Sequence, residues 1–253
     1  MTRDPRQAEI TGLPPPARPR PPDALGALRA VMFDLDGLLV DSEPLWFEVE
    51  RTVMARLGGQ WRAADQHALI GGSLDRTVSY LLARASRPAN RAEVARWLLD
   101  EMTGLMLAGG LPVQPGAREL VAEVAGAGLP YALVTSSARQ IMRAALAVTG
   151  LRFPVTVCGE DVGRTKPDPE PYLLAAARLG VPPPGCVACE DSPNGVAAAR
   201  AAGCPVIAVP SVPIPPGPGV MTVESLAMVN LSVLVEIVGR RPDGPGQAVT
   251  EKF

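Results

Sequence analysis

The chain has 253 residues, 47% of them hydrophobic, with a net charge of −2 and an isoelectric point near 5.6. These values allow a sizeable buried core, and they give no electrostatic basis for binding nucleic acid or an anionic membrane. No apolar run is long enough to span a bilayer, and the N-terminus lacks the basic-then-apolar order of a signal peptide. We therefore expect a cytoplasmic protein, and a monomer, because no long interface helix or coiled-coil heptad is present.

Proline-rich segments bound the chain. Residues 1–27 are rich in Pro and Arg, and residues 239–253 are similar, so we predict two disordered tails that cannot bury enough apolar surface to fold. A third proline-rich run, residues 210–218, is flanked by apolar segments and is predicted to be an ordered surface loop.

Between the tails, short apolar runs alternate with helical patterns. The predicted strands are residues 30–33, 131–135, 155–158, 187–189 and 206–209. The predicted helices are residues 117–127, 139–148, 170–179 and 195–202. This alternation predicts an α/β fold with a doubly wound parallel sheet.

The interval from about residue 43 to residue 107 breaks the alternation, because it shows only helical periodicity. We interpret this interval as a helical insertion after the first strand, which would lie as a lid above the carboxyl edge of the sheet. All three tryptophans, Trp46, Trp61 and Trp97, fall in this interval, where we expect them to form the core of a small bundle or to line a pocket.

The first predicted strand ends at two aspartates, Asp34 and Asp36, followed by Gly37. Alternation along an extended chain puts both carboxylates on one side of it. Ligands of open α/β sheets bind at the carboxyl ends of strands, and Mg²⁺ takes oxygen ligands and would neutralise the like charges. The motif therefore predicts a Mg²⁺ site, the alternative being two solvated aspartates at a strand end.

Two later segments add groups that could hold a phosphate. Thr135 ends the second predicted strand and Ser136 follows it, at a point where hydroxyls can bind a phosphate oxygen or simply cap the next helix. Lys166, one of only two lysines in the chain, lies in a loop bounded by proline. Its compact charge can balance clustered carboxylates and a phosphate, although it could also be an ordinary surface cation.

A second carboxylate pair, Glu190 and Asp191, ends the fourth predicted strand. Asp191, with Glu190 beside it, would complete the Mg²⁺ shell begun by Asp34. Asp191 or Ser192 can also be interpreted as the N-cap of the following helix. The pair Cys186 and Cys189 precedes this point and is interpreted as part of a buried strand, where cysteine acts as a small hydrophobe.

The order of these motifs, Asp-x-Asp, Thr/Ser, Lys-Pro and Glu-Asp, resembles that of the haloacid dehalogenase-type superfamily, in its phosphatase and phosphomutase branch. The resemblance covers about residues 28–238 and is strongest in residues 33–37, 41–43, 166–169 and 190–195. It implies a doubly wound core, here residues 28–42 and 112–238, with a small helical cap inserted at residues 43–111.

The resemblance also implies roles for individual residues. Asp34 is similar to the nucleophile that forms an aspartyl-phosphate, and Asp36 to the general acid and base. The implied contacts to the phosphoryl group come from Thr135, Ser136 and Lys166. The implied Mg²⁺ ligands are Asp34, the backbone carbonyl of Asp36, and Asp191, with Glu190 in support.

Hydrolysis of a small phosphomonoester is the expected reaction, with a sugar, polyol or nucleoside monophosphate as substrate. Mutases of the β-phosphoglucomutase type are the alternative. They place a histidine shortly after the first motif, where this chain reads Asp-Ser-Glu-Pro-Leu-Trp, and an arginine after the serine of the cap loop, where Leu74 follows Ser73. Both departures favour a phosphatase, although Arg76 could supply charge nearby.

The loop at residues 70–73 is the expected site of substrate discrimination, through Gly72 and Ser73, because glycines permit close backbone approach. The same loop can be interpreted as a simple interhelical turn. A third possibility for the whole chain is a non-catalytic module that binds a phosphorylated metabolite.

Overall fold

The computed structural model describes residues 25–69 and 72–239, which form a six-stranded parallel sheet with helices around it. The strands are β1 (Ala30–Phe33), β2 (Tyr131–Val134), β3 (Val155–Val157), β4 (Cys186–Glu190), β5 (Val206–Ala208) and β6 (Val220–Thr222). The first helices are α1 (Glu43–Arg56), α2 (Ala63–His67), α3 (Leu74–Arg84) and α4 (Arg91–Gly109). The later helices are α5 (Ala117–Gly126), α6 (Arg139–Thr149), α7 (Glu170–Leu179), α8 (Pro193–Ala201) and α9 (Leu231–Gly239).

The sheet has the strand order β3-β2-β1-β4-β5-β6, which confirms the predicted doubly wound α/β class. From β1 the chain moves outward through β2 and β3, and it then returns to place β4 on the other side of β1. Such a reversal of strand order opens a crevice at the carboxyl ends of the strands on either side of it. The residues that follow β1, β2 and β4 therefore meet at one edge.

Strand β1 is entirely buried because its four residues are apolar and neighbouring strands pair with it on both sides. Its side chains alternate between two cores, with Val31 and Phe33 on one face and Ala30 and Met32 on the other. Cys186 and Cys189 likewise divide between these cores, and both are buried free thiols. The interpretation of this pair as part of a buried strand is confirmed.

Helices α1 to α4, hereafter the helical insertion, lie between β1 and β2 in sequence, as the helical periodicity predicts. Helix α4 joins the insertion to the rest of the chain, since it packs on α1 and α3 and also on α6. Its buried face consists of residues spaced four apart, which is the apolar stripe of an amphipathic helix. These residues are Val94, Leu98, Met102 and Met106. Trp61 is also buried, with its ring edge-on to Tyr80.

Two elements of the structure are absent from the sequence prediction. Strand β6 has only three residues and follows the predicted surface loop at residues 210–218, which contains no helix or strand. Helix α9 packs on β4 and β5 near the end of the described chain.

Within residues 25–69 and 72–239, no helix combines the length and apolar character that a membrane crossing requires. Most of both predicted tails, residues 1–24 and 240–253, lies outside the described residues.

Leu98 provides a test of the packing that holds the insertion together. It is fully buried in α4, so Leu98→Ala removes apolar contacts and leaves a cavity, which should lower the free energy of unfolding by about 2–5 kcal/mol. Leu107→Ala on the same helix is the matched control, because Leu107 is 63% exposed, and should change stability by less than about 0.5 kcal/mol. Equal effects of the two substitutions in denaturant unfolding would contradict this packing.

Candidate active site

The carboxyl edge of the sheet gathers the polar residues that follow three neighbouring strands. Asp34 follows β1, Thr135 follows β2 and Asp191 follows β4, while Lys166 reaches the same point from the loop between β3 and α7. All four are buried, which is unusual for the three ionisable side chains among them unless they are paired. The structure thus brings together residues that are far apart in the sequence.

Lys166 lies at the centre of this group. Its Nζ donates hydrogen bonds to Asp34 Oδ1 at 2.5 Å, to Glu190 Oε1 at 2.5 Å and to the Val134 carbonyl oxygen at 2.8 Å. These three bonds use the full donor capacity of an ammonium group. Burial acts to lower the pKa of Lys166, but the two carboxylates outweigh it and raise the pKa above its ordinary value. Lys166 is therefore a fixed positive charge rather than a surface cation.

Glu190 holds Lys166 in place and is itself fully buried. Its Oε1 accepts hydrogen bonds from both Lys166 and the Tyr172 hydroxyl, and its Oε2 accepts one from the Asp191 backbone N–H at 3.3 Å. Gly195 packs so closely that a Cβ atom there would collide with the Glu190 carboxylate. The surroundings of Glu190 therefore orient it towards Lys166.

Asp36 lies at a more open position beside this group. Its Oδ1 accepts a hydrogen bond from Ser42 Oγ at 2.7 Å, and its Oδ2 accepts one from Ser137 Oγ at 2.7 Å. Thr135 Oγ1 lies 3.4 Å from the same Oδ2 and accepts a hydrogen bond from the Ser137 N–H. The Asp36 carboxyl is thus oriented by hydroxyl groups on two sides, whereas Asp34 is oriented by a cation.

Three carboxylates form a cluster with the geometry of a metal site. Asp34, Glu190 and Asp191 each offer an oxygen within 4.8 Å of the others. Burial, opposed by Lys166 and reinforced by the neighbouring carboxylates, raises the pKa of Asp34 well above its usual range. Burial and then Glu190 raise the pKa of Asp191 to about 7. Three buried carboxylates facing the single ammonium group of Lys166 would leave an excess of negative charge, and burial makes that charge costly.

A hard divalent cation fits this cluster, since carboxylate oxygens are the ligands that Mg²⁺ prefers and its charge would offset the excess. The surroundings of Asp191 support the fit. Ser211 Oγ donates to Asp191 Oδ2 at 2.7 Å, and a Cβ atom at Gly37 would collide with the Asp191 carboxylate. Asp191 is therefore fixed from two sides in a position next to Asp34.

A cleft of about 810 Å³, counting its open mouth, extends from the carboxylates to the helical insertion. From the core it is lined by Asp34, Asp36, Thr135, Ser136, Ser137, Ala138, Ile141, Lys166, Asp191 and Ser192. From the insertion and the loop before α3 it is lined by Glu43, Trp46, Glu50, Gln66, Leu69, Gly72, Ser73, Leu74, Thr77 and Leu99. Reacting groups of the core and side chains of the insertion thus share one cavity.

The residues predicted for substrate contact divide into two groups. Gly72 and Ser73 line the cleft, and Ser73 also caps α3 by accepting a bond from the Arg76 N–H at 3.4 Å. Arg76 does not line the cleft, because its guanidinium donates to the Ala68 carbonyl oxygen at 2.8 Å. Ile70 and Gly71, in the same predicted loop, lie outside the described residues.

Several side chains at the site are absent from the sequence prediction. Ser137, Tyr172 and Ser211 each bind a predicted site carboxylate, and Glu50 lines the cleft from α1. Ser137 directly follows the predicted Thr135 and Ser136, and Glu50 interrupts the apolar stripe of α1, so these two positions carry a local signal. The others lie on separate elements, and only the fold brings them to the site.

Comparisons with known proteins agree with this fold and site. The family model described as haloacid dehalogenase-like hydrolase matches residues 31–209, so the chain belongs to that family. Hexitol phosphatase B of Escherichia coli is 37% identical over 217 residues, which are 83% of this chain and 95% of that protein. The predicted resemblance and the assignment to an enzyme family of hydrolases are confirmed.

Two similar solved structures come from Rhodobacter sphaeroides. CbbY in complex with phosphate has a TM-score of 0.74 and 28% identity, covering 82% of this chain and 99% of that chain. A variant of CbbY in complex with xylulose-(1,5)bisphosphate has a TM-score of 0.73 and 27% identity, with the same coverage.

Asp191 provides a test of the metal site that does not depend on activity. Asp191→Asn removes one of three clustered carboxylates and should weaken Mg²⁺ binding at least about tenfold. Substitution of a residue that only orients a metal ligand already costs about 10–100-fold in affinity, and loss of a ligand itself should cost no less. The measurement is the rise in melting temperature as Mg²⁺ is titrated. Asp75→Asn, at a side chain that is 80% exposed, is the control and should match the wild type. Identical titrations for all three proteins would contradict the site.

Proposed function

We propose that this protein is a Mg²⁺-dependent phosphatase that hydrolyses the monophosphate of a small sugar or polyol through an aspartyl-phosphate on Asp34. The observation that carries the proposal is the pairing of buried Asp34 with Lys166 at the base of the cleft, with Asp36 oriented beside them. The family and the similarity to hexitol phosphatase B support it. Phosphoryl transfer depends mainly on positioning and on neutralising charge, which this arrangement supplies.

In the first step a carboxylate oxygen of Asp34 attacks phosphorus and the ester P–O bond breaks. Asp36, as a carboxylic acid, gives its proton to the departing alkoxide oxygen, while Lys166 and Thr135 hold phosphoryl oxygens. Lys166 has no unused N–H in the present arrangement, so it would exchange one of its bonds for the phosphoryl group. Ser42 and Ser137 keep the Asp36 carboxyl in one orientation for this transfer.

In the second step Asp36, now a carboxylate, takes a proton from water as the water oxygen attacks phosphorus. The bond between phosphorus and Asp34 breaks, which releases phosphate and restores both aspartates to their starting forms. Asp34, Asp191 and the backbone carbonyl of Asp36 would hold Mg²⁺, whose charge would offset that of the phosphoryl group.

The charges around the cleft support hydrolysis over a mutase reaction. A mutase must hold a second phosphate, which requires a further cation in the substrate pocket. Among the described residues lining the cleft, Lys166 is the only lysine or arginine, and it is bound to Asp34 and Glu190. Arg76 is turned towards Ala68 instead.

The helical insertion fits the role of a cap domain that covers the bound substrate. The proposed division is a cap at residues 43–111 and a core at residues 28–42 and 112–238. Its support is that both parts line the cleft and that the sheet by itself leaves the site open on that side. The monomeric state and the location in the cytoplasm stay predictions.

The first test is phosphate release from a panel of sugar, polyol and nucleoside monophosphates in the presence of Mg²⁺. Release should occur with sugar or polyol phosphates and should fall to background in Asp34→Asn, which keeps the shape of the side chain but removes the nucleophilic charge. Conversion of β-glucose 1-phosphate into glucose 6-phosphate without release would establish a mutase instead. Binding of phosphate esters without turnover of any of them would favour the non-catalytic module.

The role of Asp36 is tested by Asp36→Ala. Loss of general acid and base catalysis should lower kcat by about 10²–10⁴-fold for a polyol phosphate, because an alkoxide leaving group needs a proton. In single-turnover experiments with p-nitrophenyl phosphate the first step should be affected much less, since p-nitrophenolate leaves without protonation. Near-normal turnover of the polyol phosphate would refute the role.

A further inference from the structure

Glu50 is a buried acidic residue that the proposed chemistry does not use. It lies on α1 within the helical insertion, it lines the cleft, and it is only 4% exposed. Its Oε2 is buried and makes no hydrogen bond of acceptable geometry among the described residues, and the same is true of Nε1 of the neighbouring Trp61 indole. Buried polar atoms in native proteins nearly always have a partner, so this oxygen requires an explanation.

An ion pair does not account for the burial of Glu50. No salt bridge to Glu50 occurs within the described part of the chain. Its electrostatic neighbour is another acid, Glu43, which is the first residue of the same helix and also lines the cleft. A buried carboxylate beside a second carboxyl is destabilising; protonation removes the charge, and a partner is then still needed to complete the hydrogen bonds of the acid.

The protonation state of Glu50 suits it to an uncharged partner. Burial, followed by the charge of Glu43, raises the pKa of Glu50 to about 8, against a lowering by the Trp61 indole. At neutral pH the group is therefore mostly a carboxylic acid, which donates through its O–H and accepts through its carbonyl oxygen. This is the pattern that adjacent hydroxyl groups of a polyol or sugar can satisfy.

The side of the cleft formed by the helical insertion and the loop before α3 is polar but carries no lysine or arginine among the described lining residues. The polar side chains that the insertion and the loop before α3 contribute to the cleft are acids, an amide and hydroxyls: Glu43, Glu50, Gln66, Ser73 and Thr77. Gln66 already donates to the Glu43 carbonyl and carboxylate oxygens at 2.7 Å and 3.1 Å. Such a wall would repel a second phosphate or a carboxylate and would accept the hydroxyls of a neutral chain.

We propose that Glu50 determines specificity by hydrogen-bonding the hydroxyl groups at the unphosphorylated end of the substrate, which is therefore a monophosphate with a neutral, polyhydroxylated tail. The inference rests on the proposed function, because it concerns the same cleft. Beyond that function, it assigns to Glu50 the recognition of the unphosphorylated end of the substrate. It also implies that bisphosphates are not preferred substrates.

The test compares two esters that differ only in their hydroxyls, sorbitol 6-phosphate and hexyl phosphate. The measured quantity is the ratio of their kcat/KM values in the wild type and in Glu50→Leu, Glu50→Gln and Glu48→Leu. The wild type should prefer sorbitol 6-phosphate at least about tenfold, and Glu50→Leu should remove most of that preference through a higher KM for sorbitol 6-phosphate. Glu50→Gln keeps a donor and an acceptor and should retain the preference.

Glu48→Leu is the matched control, since Glu48 lies two residues away on the same helix with a side chain that is 50% exposed. It should leave the ratio unchanged. A thermal melt checks that each variant is folded, and Glu50→Ala replaces Glu50→Leu if the latter is not. An equal loss of kcat/KM for both esters in the Glu50 variants would show a structural role and would overturn the inference.

Two further outcomes separate this inference from the proposed function. A wild type that hydrolyses both esters equally well, or that prefers fructose 1,6-bisphosphate to fructose 6-phosphate, overturns the inference but leaves the phosphatase in place. A wild type that hydrolyses none of these esters, nor p-nitrophenyl phosphate, overturns the proposed function and the inference with it.

Discussion

The site depends on one buried ammonium group shared between two carboxylates. Lys166 bonds Asp34 and Glu190 at equal distance, and without it two negative charges would lie unpaired in the protein interior. Removing one partner from such a buried group leaves an uncompensated charge, which is far more costly than the loss of a surface ion pair. The bonds that Tyr172 and the backbone make to Glu190 follow from this constraint, because they hold the carboxylate where Lys166 requires it.

The parallel register of the sheet explains how one lysine can reach both acids. Phe33 is level with Cys189 on the neighbouring strand, so the next residues, Asp34 and Glu190, are also level. Adjacent strands lie about 4.8 Å apart, which is a distance that a single ammonium group can bridge. A register shift of one residue would turn one of these carboxylates to the opposite face of the sheet. The charge cluster and the strand pairing therefore depend on each other.

The sequence was sufficient for the features that lie next to each other along the chain. The strand before Asp34, the carboxylate pair at Glu190 and Asp191, and the helical interval after β1 all have local patterns, and the motif order identifies the edge at which they meet. Strand β6 has only three residues, of which one is buried and one is exposed, and it gives no comparable pattern. Ser211 and Tyr172 could not be assigned, because their bonds to site carboxylates join residues about 20 apart on separate elements.

Glu50 interrupts the apolar periodicity of α1, which is a signal that the sequence contains. The buried residues of α1 are Val49, Glu50, Val53 and Met54, so an acid occupies a position of the apolar stripe. A buried acid at such a position lowers stability unless something else gains from it, and sites that break a local rule in this way are often functional. The burial and the missing hydrogen bond, which only the structure shows, turn that irregularity into a specific proposal.

The start of the helical insertion connects the proposed chemistry to substrate recognition. Ser42, which binds Asp36, immediately precedes α1, and the same helix carries Glu43 and Glu50 into the cleft. The other oxygen of Asp36 is bound by Ser137, which belongs to the sheet side of the cleft. A shift of α1 on substrate binding would therefore change the environment of Asp36 from one side only. The fold thus places the proposed proton transfer at the junction of the two parts, while Asp34 and Lys166 lie in the core.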